Sequence, residues 1–197
     1  NNELKLEGIV EFDEAYMGGK PRNRKKPLNE ANLARITSTR GRGTSKTPVV
    51  GAVEKKGKVY VKIIEKLTSR NLLAMLKKVV KTNESIVITD NFRSYKAFDD
   101  EVEHITIKHS EGYGKGMRTI NTIEGFWSII KNGIKGSFRS VSKKYLLFYL
   151  AEFSYKYNNR HLQKDAFMQL LKNAVVEEKH FNNYKPIGNP RDIVYNQ

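Results

Sequence analysis

Apolar residues in the second half of the chain recur at helical spacing. Ile120, Ile123, Trp127, Ile130 and Ile134 fall on one face of a helix that opens at Asn121-Thr-Ile-Glu-Gly-Phe-Trp127. That stripe is expected to be buried. Asn121, Glu124, Ser128, Lys131 and Lys135 recur at the same interval beside it, so the helix carries a carboxylate near its start and ammonium groups further along. Asn121 and Glu124 also fit a capping box, with Asn121 as the N-cap. A second long helix is predicted after Gly136, capped by Ser142, with Leu146, Leu147, Leu150 and Phe153 inward and Tyr149 and Tyr157 alongside. Phe167, Leu170 and Leu171 mark a last helix. The tail from Asn182, with Pro186 and Pro190, reads as irregular.

The first half alternates instead. Residues 9–16 read as a strand ending in Asp13 and Glu14, broken by Gly18-Gly19. Residues 49–53 and 59–64 are strands joined by Lys55-Lys-Gly57, a hairpin signal. A helix follows, capped by Thr68 or Ser69, with Leu72, Leu73, Leu76, Val79 and Val80 as its buried face. Residues 85–90 form a short apolar strand, buried on both faces and parallel to the first. A short helix over 95–98 and a strand over 104–107 complete the series. This succession predicts an α/β chain of ribonuclease H-like fold: a mixed five-stranded sheet flanked by helices, with extra C-terminal helices. The first and fourth strands are then neighbours at the sheet centre, which sets Asp13 and Asp90 side by side.

Composition narrows the partners. In 197 residues, 36 Lys and Arg against 21 Asp and Glu leave a formal charge of +15, which favours a polyanion, nucleic acid before an acidic membrane. No run approaches the roughly 18 apolar residues of a membrane span. The polar, mixed opening Asn1-Asn-Glu-Leu-Lys-Leu does not have the pattern of a signal peptide, and the absence of an initial Met suggests a piece of something longer. Zero cysteines exclude disulfides and cysteine-ligated zinc within this chain, and are compatible with a reducing cytosol. Residues 1–181 are read as one domain and 182–197 as its irregular tail. Within the domain, residues 20–46 form a basic arm containing Lys20, Arg22, Arg24, Lys25, Lys26, Arg40 and Arg42, either phosphate-gripping or simply a solvated excursion. A second glycine-rich loop, 110–118, carries Lys115 and Arg118 into the central helix.

Chemistry enters through three acids. Asp13, Asp90 and Glu124 stand at two strand ends and a helix start that this fold would bring together. Each has a plain structural reading: a strand-end acid, a turn residue before Asn91, and the far half of a capping box. Jointly these readings weaken. Two unit charges 4 Å apart cost about 4 kcal/mol at an effective dielectric of 20, so gathering them calls for a cation. An all-oxygen site suits two Mg²⁺ or Mn²⁺ ions and in-line attack on a phosphodiester. Glu14 is a secondary candidate, expected on the opposite face of the strand from Asp13.

The residues also resemble a known family. Asp13-Glu-Ala-Tyr-Met-Gly-Gly-Lys20, Ile88-Thr-Asp-Asn91 with Tyr95, His109-Ser-Glu-Gly-Tyr113, and Asn121 through Trp127 to Gly136 look like the catalytic domain of a DDE-type insertion-sequence transposase of the ISXO-type, Merlin-related branch. Tyr149-Leu-Ala-Glu-Phe153 and Tyr157-Asn-Asn-Arg160 resemble its closing helix, so the likeness spans roughly residues 8–162. The interval from Asp90 to Glu124 is similar to that between the last two acids of the superfamily. The resemblance implies that Asp13, Asp90 and Glu124 bind the metals, that the enzyme cuts at transposon ends, and that the freed 3′-hydroxyl attacks target DNA. It implies DNA as partner, a homodimer when ends are paired, no membrane, and a bacterial cytoplasmic location at the nucleoid. Lys131 and Lys135 are candidate phosphate contacts, His109 and Asn121 secondary candidates, and Trp127 a core residue. Relatives usually carry a zinc ribbon and often a helix-turn-helix; with no cysteine in this chain, the ribbon is not part of it.

Three rivals remain beside the transferase. One is a ribonuclease H-like nuclease that only hydrolyses. Another is a non-catalytic DNA-binding protein derived from a transposase, which would be expected to lose an acid. The third is a paired-carboxylate glycosidase, which the charge disfavours.

Overall fold

Alternation along the first strand decides the architecture. In the computed structural model, which describes residues 4–18, 46–107, 119–162 and 165–176 with side chains as far as Lys172, β1 (Leu6–Met17) lies at the centre of a five-stranded sheet. Its neighbours are β2 (Thr47–Glu54) on one side and β4 (Val80–Asp90) on the other. The outer strands are β3 (Val59–Ile63) and β5 (Glu103–Ile107). The order is β3-β2-β1-β4-β5. β2 runs antiparallel to both of its neighbours, whereas β4 and β5 run parallel to β1. This is the mixed ribonuclease H-like sheet that the sequence predicts.

Leu6, Val10 and Phe12 of β1 point to one face, where they meet Leu72, Met75, Leu76 and Val79 of α1 (Ser69–Val79) and Tyr95 and Phe98 of a 3-10 helix (Arg93–Phe98). Ala15 and Met17 point to the other. There they meet Ile123, Phe126, Trp127 and Ile130 of α2 (Asn121–Gly136), and Leu146 and Leu150 of α3 (Leu146–Asn158). Period-two residues on a central strand thus feed two separate cores. A further helix, α4 (Asp165–Val176), follows a 3-10 turn (Arg160–Leu162).

Local signals set two of the boundaries, and long-range contacts seat the helices. Thr68 caps α1 by accepting the Asn71 N–H. Lys56, at positive φ, turns the β2–β3 hairpin. α3 is pinned to the β3 edge by Asn158, whose side chain both accepts from Val59 N–H at 2.7 Å and donates to Val59 C=O at 3.0 Å. Gly133 lets α2 approach α3, since a Cβ there would lie 2.4 Å from Phe153 Cζ.

Three expectations change, and the last helix, found where expected, leaves its apolar residues uncovered. Val80 begins β4 rather than ending the helical stripe, because α1 passes directly into the strand. Met75 and Phe126 join the buried faces, which are wider than the strict stripes. Ser142 does not cap α3: the helix starts at Leu146, after a turn in which Tyr145 N–H donates to Ser142 C=O. In α4 the apolar residues Phe167, Met168, Leu170 and Leu171 are exposed. No helix among the described residues is long and apolar enough to cross a membrane. The basic arm up to Ser45, the loop over 108–118 and the tail lie outside the described residues.

Candidate metal centre

β1 and β4 run side by side only as far as the pair Glu11↔Ile88. Beyond it Asp13 and Glu14 continue along β1, and Asp90 ends β4. Adjacent strand residues point to opposite faces, and these two do. Asp13 turns toward α2, where its Oδ2 accepts the indole Nε1–H of Trp127 at 3.0 Å. Glu14 turns toward the α1 side, where its Oε2 accepts the hydroxyl of Tyr95 at 3.1 Å. Past the end of the paired register both carboxylates nevertheless reach the sheet edge. One oxygen each from Asp13, Glu14 and Asp90 lies within 4.8 Å of the others. Opposite faces therefore do not remove Glu14 from the cluster.

The electrostatics match the geometry. Burial, then the charge of Glu14 and that of Asp90, push Asp13 up to about 7, against the opposing pull of the Glu14 backbone N–H and the Trp127 indole. Tyr95, also buried and facing the same three carboxylates, is pushed well above its ordinary value, so it stays a neutral donor to Glu14. Asp90 does fill the turn role, since its Oδ1 accepts the Phe92 N–H at 3.0 Å. Behind it, Thr89 is fully buried. Its hydroxyl donates to Asp90 C=O at 2.8 Å and lies 2.8 Å from His104 Nε2, whose Nδ1 pairs with Asp99.

Glu124 sits half-buried in the first turn of α2, and its carboxylate is not one of the three gathered oxygens. The expected capping box is absent: α2 begins at Asn121, exposed, and the residue before it, Ile120, makes no side-chain cap. The cap comes from another element. Glu11 of β1, fully buried, accepts the Ile123 N–H at 2.8 Å and the Thr122 hydroxyl at 2.9 Å. Lys55 stands 3.7 Å from the same carboxylate and donates to Thr119 Oγ1. A negative charge at a helix N-terminus satisfies orphan N–H groups and opposes the positive end of the helix dipole. Glu11 and Asp13, two residues apart on one strand face, thus hold α2 one turn apart along its length.

Comparison with known proteins decides the family. Residues 5–158 match the model of the ISXO2-like transposase domain. The chain belongs to that family. An uncharacterized transposase-like protein of Haemophilus influenzae is 34% identical over 124 residues, covering 61% of this chain and 99% of that protein. Among solved structures, the HTLV-2 integrase catalytic core domain in complex with magnesium (trimeric form) is similar at 14% identity and a TM-score of 0.43, over 79% of this chain and 87% of that one. The dimeric form of that core domain is similar at a TM-score of 0.34.

In this transposase domain the exposed face of α2 beyond Glu124 carries Lys131 and Lys135, as the polar stripe predicts. Trp127 is core, as expected, but it is also the hydrogen-bond partner of Asp13. Lys20, Arg22, Arg24, Lys25, Lys26, Arg40, Arg42, His109, Lys115 and Arg118 lie outside the described residues. Sequence reasoning missed Glu11 and His104. Glu11 had a signal: an acid within a strand, on the same alternation as Asp13, where the other side chains pack beneath a helix.

Proposed function

We propose that this transposase domain cleaves DNA phosphodiesters at transposon ends and joins the freed 3′ end to target DNA, its 3′-hydroxyl attacking a target phosphodiester and displacing that strand's 3′-oxygen, in a metal-dependent reaction. The observation that carries the reading is the convergence of the Asp13, Glu14 and Asp90 carboxylates at one sheet edge of a strongly basic chain. The donor set fits a hard divalent cation. It is all oxygen, and the burial and neighbouring charges that push Asp13 up are what a cation would offset. Asp13 and Asp90 would hold Mg²⁺ or Mn²⁺, with Glu124 from α2 and Glu14 as a further oxygen donor. Two such ions supply Lewis-acid charge to the attacking and leaving oxygens of a phosphodiester.

The protein's own residues do the rest. Glu11 and Asp13 fix α2 against β1, and Glu124 stands between Ile123 and Trp127, the two residues they hold. Lys131 and Lys135 offer ammonium groups to the phosphates next to the scissile bond. The basic arm and the 110–118 loop supply sequence-independent grip on DNA, and two copies act together when two ends are paired.

The decisive experiment is strand transfer on a labelled, pre-cut DNA end with Mn²⁺, comparing the native chain with Glu124→Gln. Joined products from the native chain alone support the transferase and assign Glu124 to it. Cleavage without joining would replace the reading with a hydrolytic nuclease. Salt-sensitive DNA binding without either product, equal in both proteins, would replace it with a binding-only role.

A further inference from the structure

Trp127 is the only tryptophan in the chain, and it is 2% exposed. A tryptophan buried in a core needs nothing more than packing and an acceptor for its N–H. Here the acceptor is Asp13 Oδ2, an oxygen of the candidate metal cluster.

The ring is fixed independently of that bond. Asp13 pairs across the sheet with Gly51 of β2. A Cβ on Gly51 would lie 2.7 Å from Trp127 Cζ2 and 2.8 Å from Cη2, so the indole lies against the bare backbone of the strand beside Asp13. Phe126 packs against it at a centroid distance of 5.5 Å. One turn earlier the helix is anchored by Glu11 through Ile123 N–H. The direction of the indole N–H is therefore set by the sheet and the helix. The carboxylate it meets is the softer partner, since the terminal torsion of an aspartate is broad.

We infer that Trp127 is a positioning residue for the metal centre: its indole N–H fixes the rotation of the Asp13 carboxylate and ties it to the helix that carries Glu124. The inference rests on the proposed metal reading. It also makes the single tryptophan a built-in reporter of the site.

The test uses Mn²⁺ alone as the probe, with binding followed by the paramagnetic resonance of the free ion. The native chain and Trp127→Phe are compared. Phenylalanine keeps a ring over Gly51 and removes only the donor and part of the area. The variant is expected to bind Mn²⁺ about tenfold more weakly, as loss of a hydrogen bond behind a ligand does, with the same circular dichroism. A residue that is merely structural would lower the metal-free melting temperature and leave the affinity unchanged, and that result overturns the inference. The second arm needs no change at residue 127. Trp127 fluorescence in the native chain is expected to change saturably with Mn²⁺ and with Mg²⁺, and not to change in Asp90→Asn. A native chain that binds Mn²⁺ by resonance but leaves its tryptophan emission unaltered overturns the inference alone. A native chain that binds no Mn²⁺ overturns it together with the metal reading beneath it.

Discussion

The Glu11 carboxylate caps the helix that starts at Asn121 by accepting the Ile123 N–H at 2.8 Å, from a strand more than a hundred residues earlier in the chain. A capping acid normally sits within the first turn of its own helix. Here it belongs to the central strand, so the cap also sets where the helix lands on the sheet. Removing it should therefore be felt more than loss of an ordinary cap. Glu11→Ala leaves the Ile123 N–H unpaired and Lys55 without its carboxylate, and should lower unfolding free energy by about 3 kcal/mol. Glu11→Gln keeps an acceptor and should cost about 1 kcal/mol. Urea unfolding of the three proteins measures both. Equal stability of Glu11→Ala and the native chain would mean that the helix is held by packing alone.

Gly51 faces a similar constraint from the opposite strand. Its missing side chain is the space in which Trp127 and Ile123 lie, with a Cβ there 2.9 Å from Ile123 Cδ1. Gly51→Ala is expected to destabilise the fold by about 1–3 kcal/mol through overpacking. Paired with Trp127→Phe, the loss should be smaller than the sum of the single losses, because the smaller ring yields room. Strict additivity in thermal unfolding would show that the strand, not the indole, absorbs the clash.

Much of this was legible in the chain, and the misses share a cause. Alternation in β1 and helical spacing after Asn121 are local patterns, and they placed five strands, the main helices and the neighbouring positions of Asp13 and Asp90. The sequence reading of Asn121 and Glu124 as a capping box used the same local logic and failed, because the helix end is satisfied by Glu11 across the fold. No spacing rule connects a strand acid to a helix so distant in sequence. Glu14 shows the limit of period two rather than its failure. Period two sends it to the far face, and its bond to Tyr95 shows that it goes there. Yet a side chain beyond the last pair of β1 with β4 can still reach the edge where Asp13 and Asp90 meet. Ser142 had the right chemistry for a cap, but its chain forms an extra turn before the helix starts at Leu146.

Divalent metal should stabilise the folded chain. A cation that binds the native cluster and not the unfolded chain raises stability by about 2.7 kcal/mol at a hundredfold excess over its dissociation constant. For a chain of this size that is a rise of several degrees in melting temperature. Millimolar Mg²⁺ or Mn²⁺ is expected to produce it in the native chain, and Asp90→Asn should abolish it. An unchanged melting temperature in both proteins would count against a preformed site.

Without metal, the same cluster should make stability fall as pH rises. Asp13 is pushed from its ordinary 3.8 up to about 7 by burial first and then by Glu14 and Asp90. Between those values the native chain holds a proton that the unfolded chain has released, so each step up in pH favours unfolding. The penalty grows through the window from about 4 to about 7 and is constant above it. At about 1.4 kcal/mol per tenfold difference in proton affinity, it amounts to a few kcal/mol. Asp13→Asn has no charge to acquire there. The unfolding free energy of the native chain relative to Asp13→Asn, measured in chelator, should therefore decline across this range and then level off. Saturating Mg²⁺ should flatten or invert the decline, because the ionised carboxylate is the form that holds the cation. Parallel pH profiles for the two proteins in chelator would show that Asp13 ionises at no cost, and would remove the electrostatic case for a cation at this sheet edge.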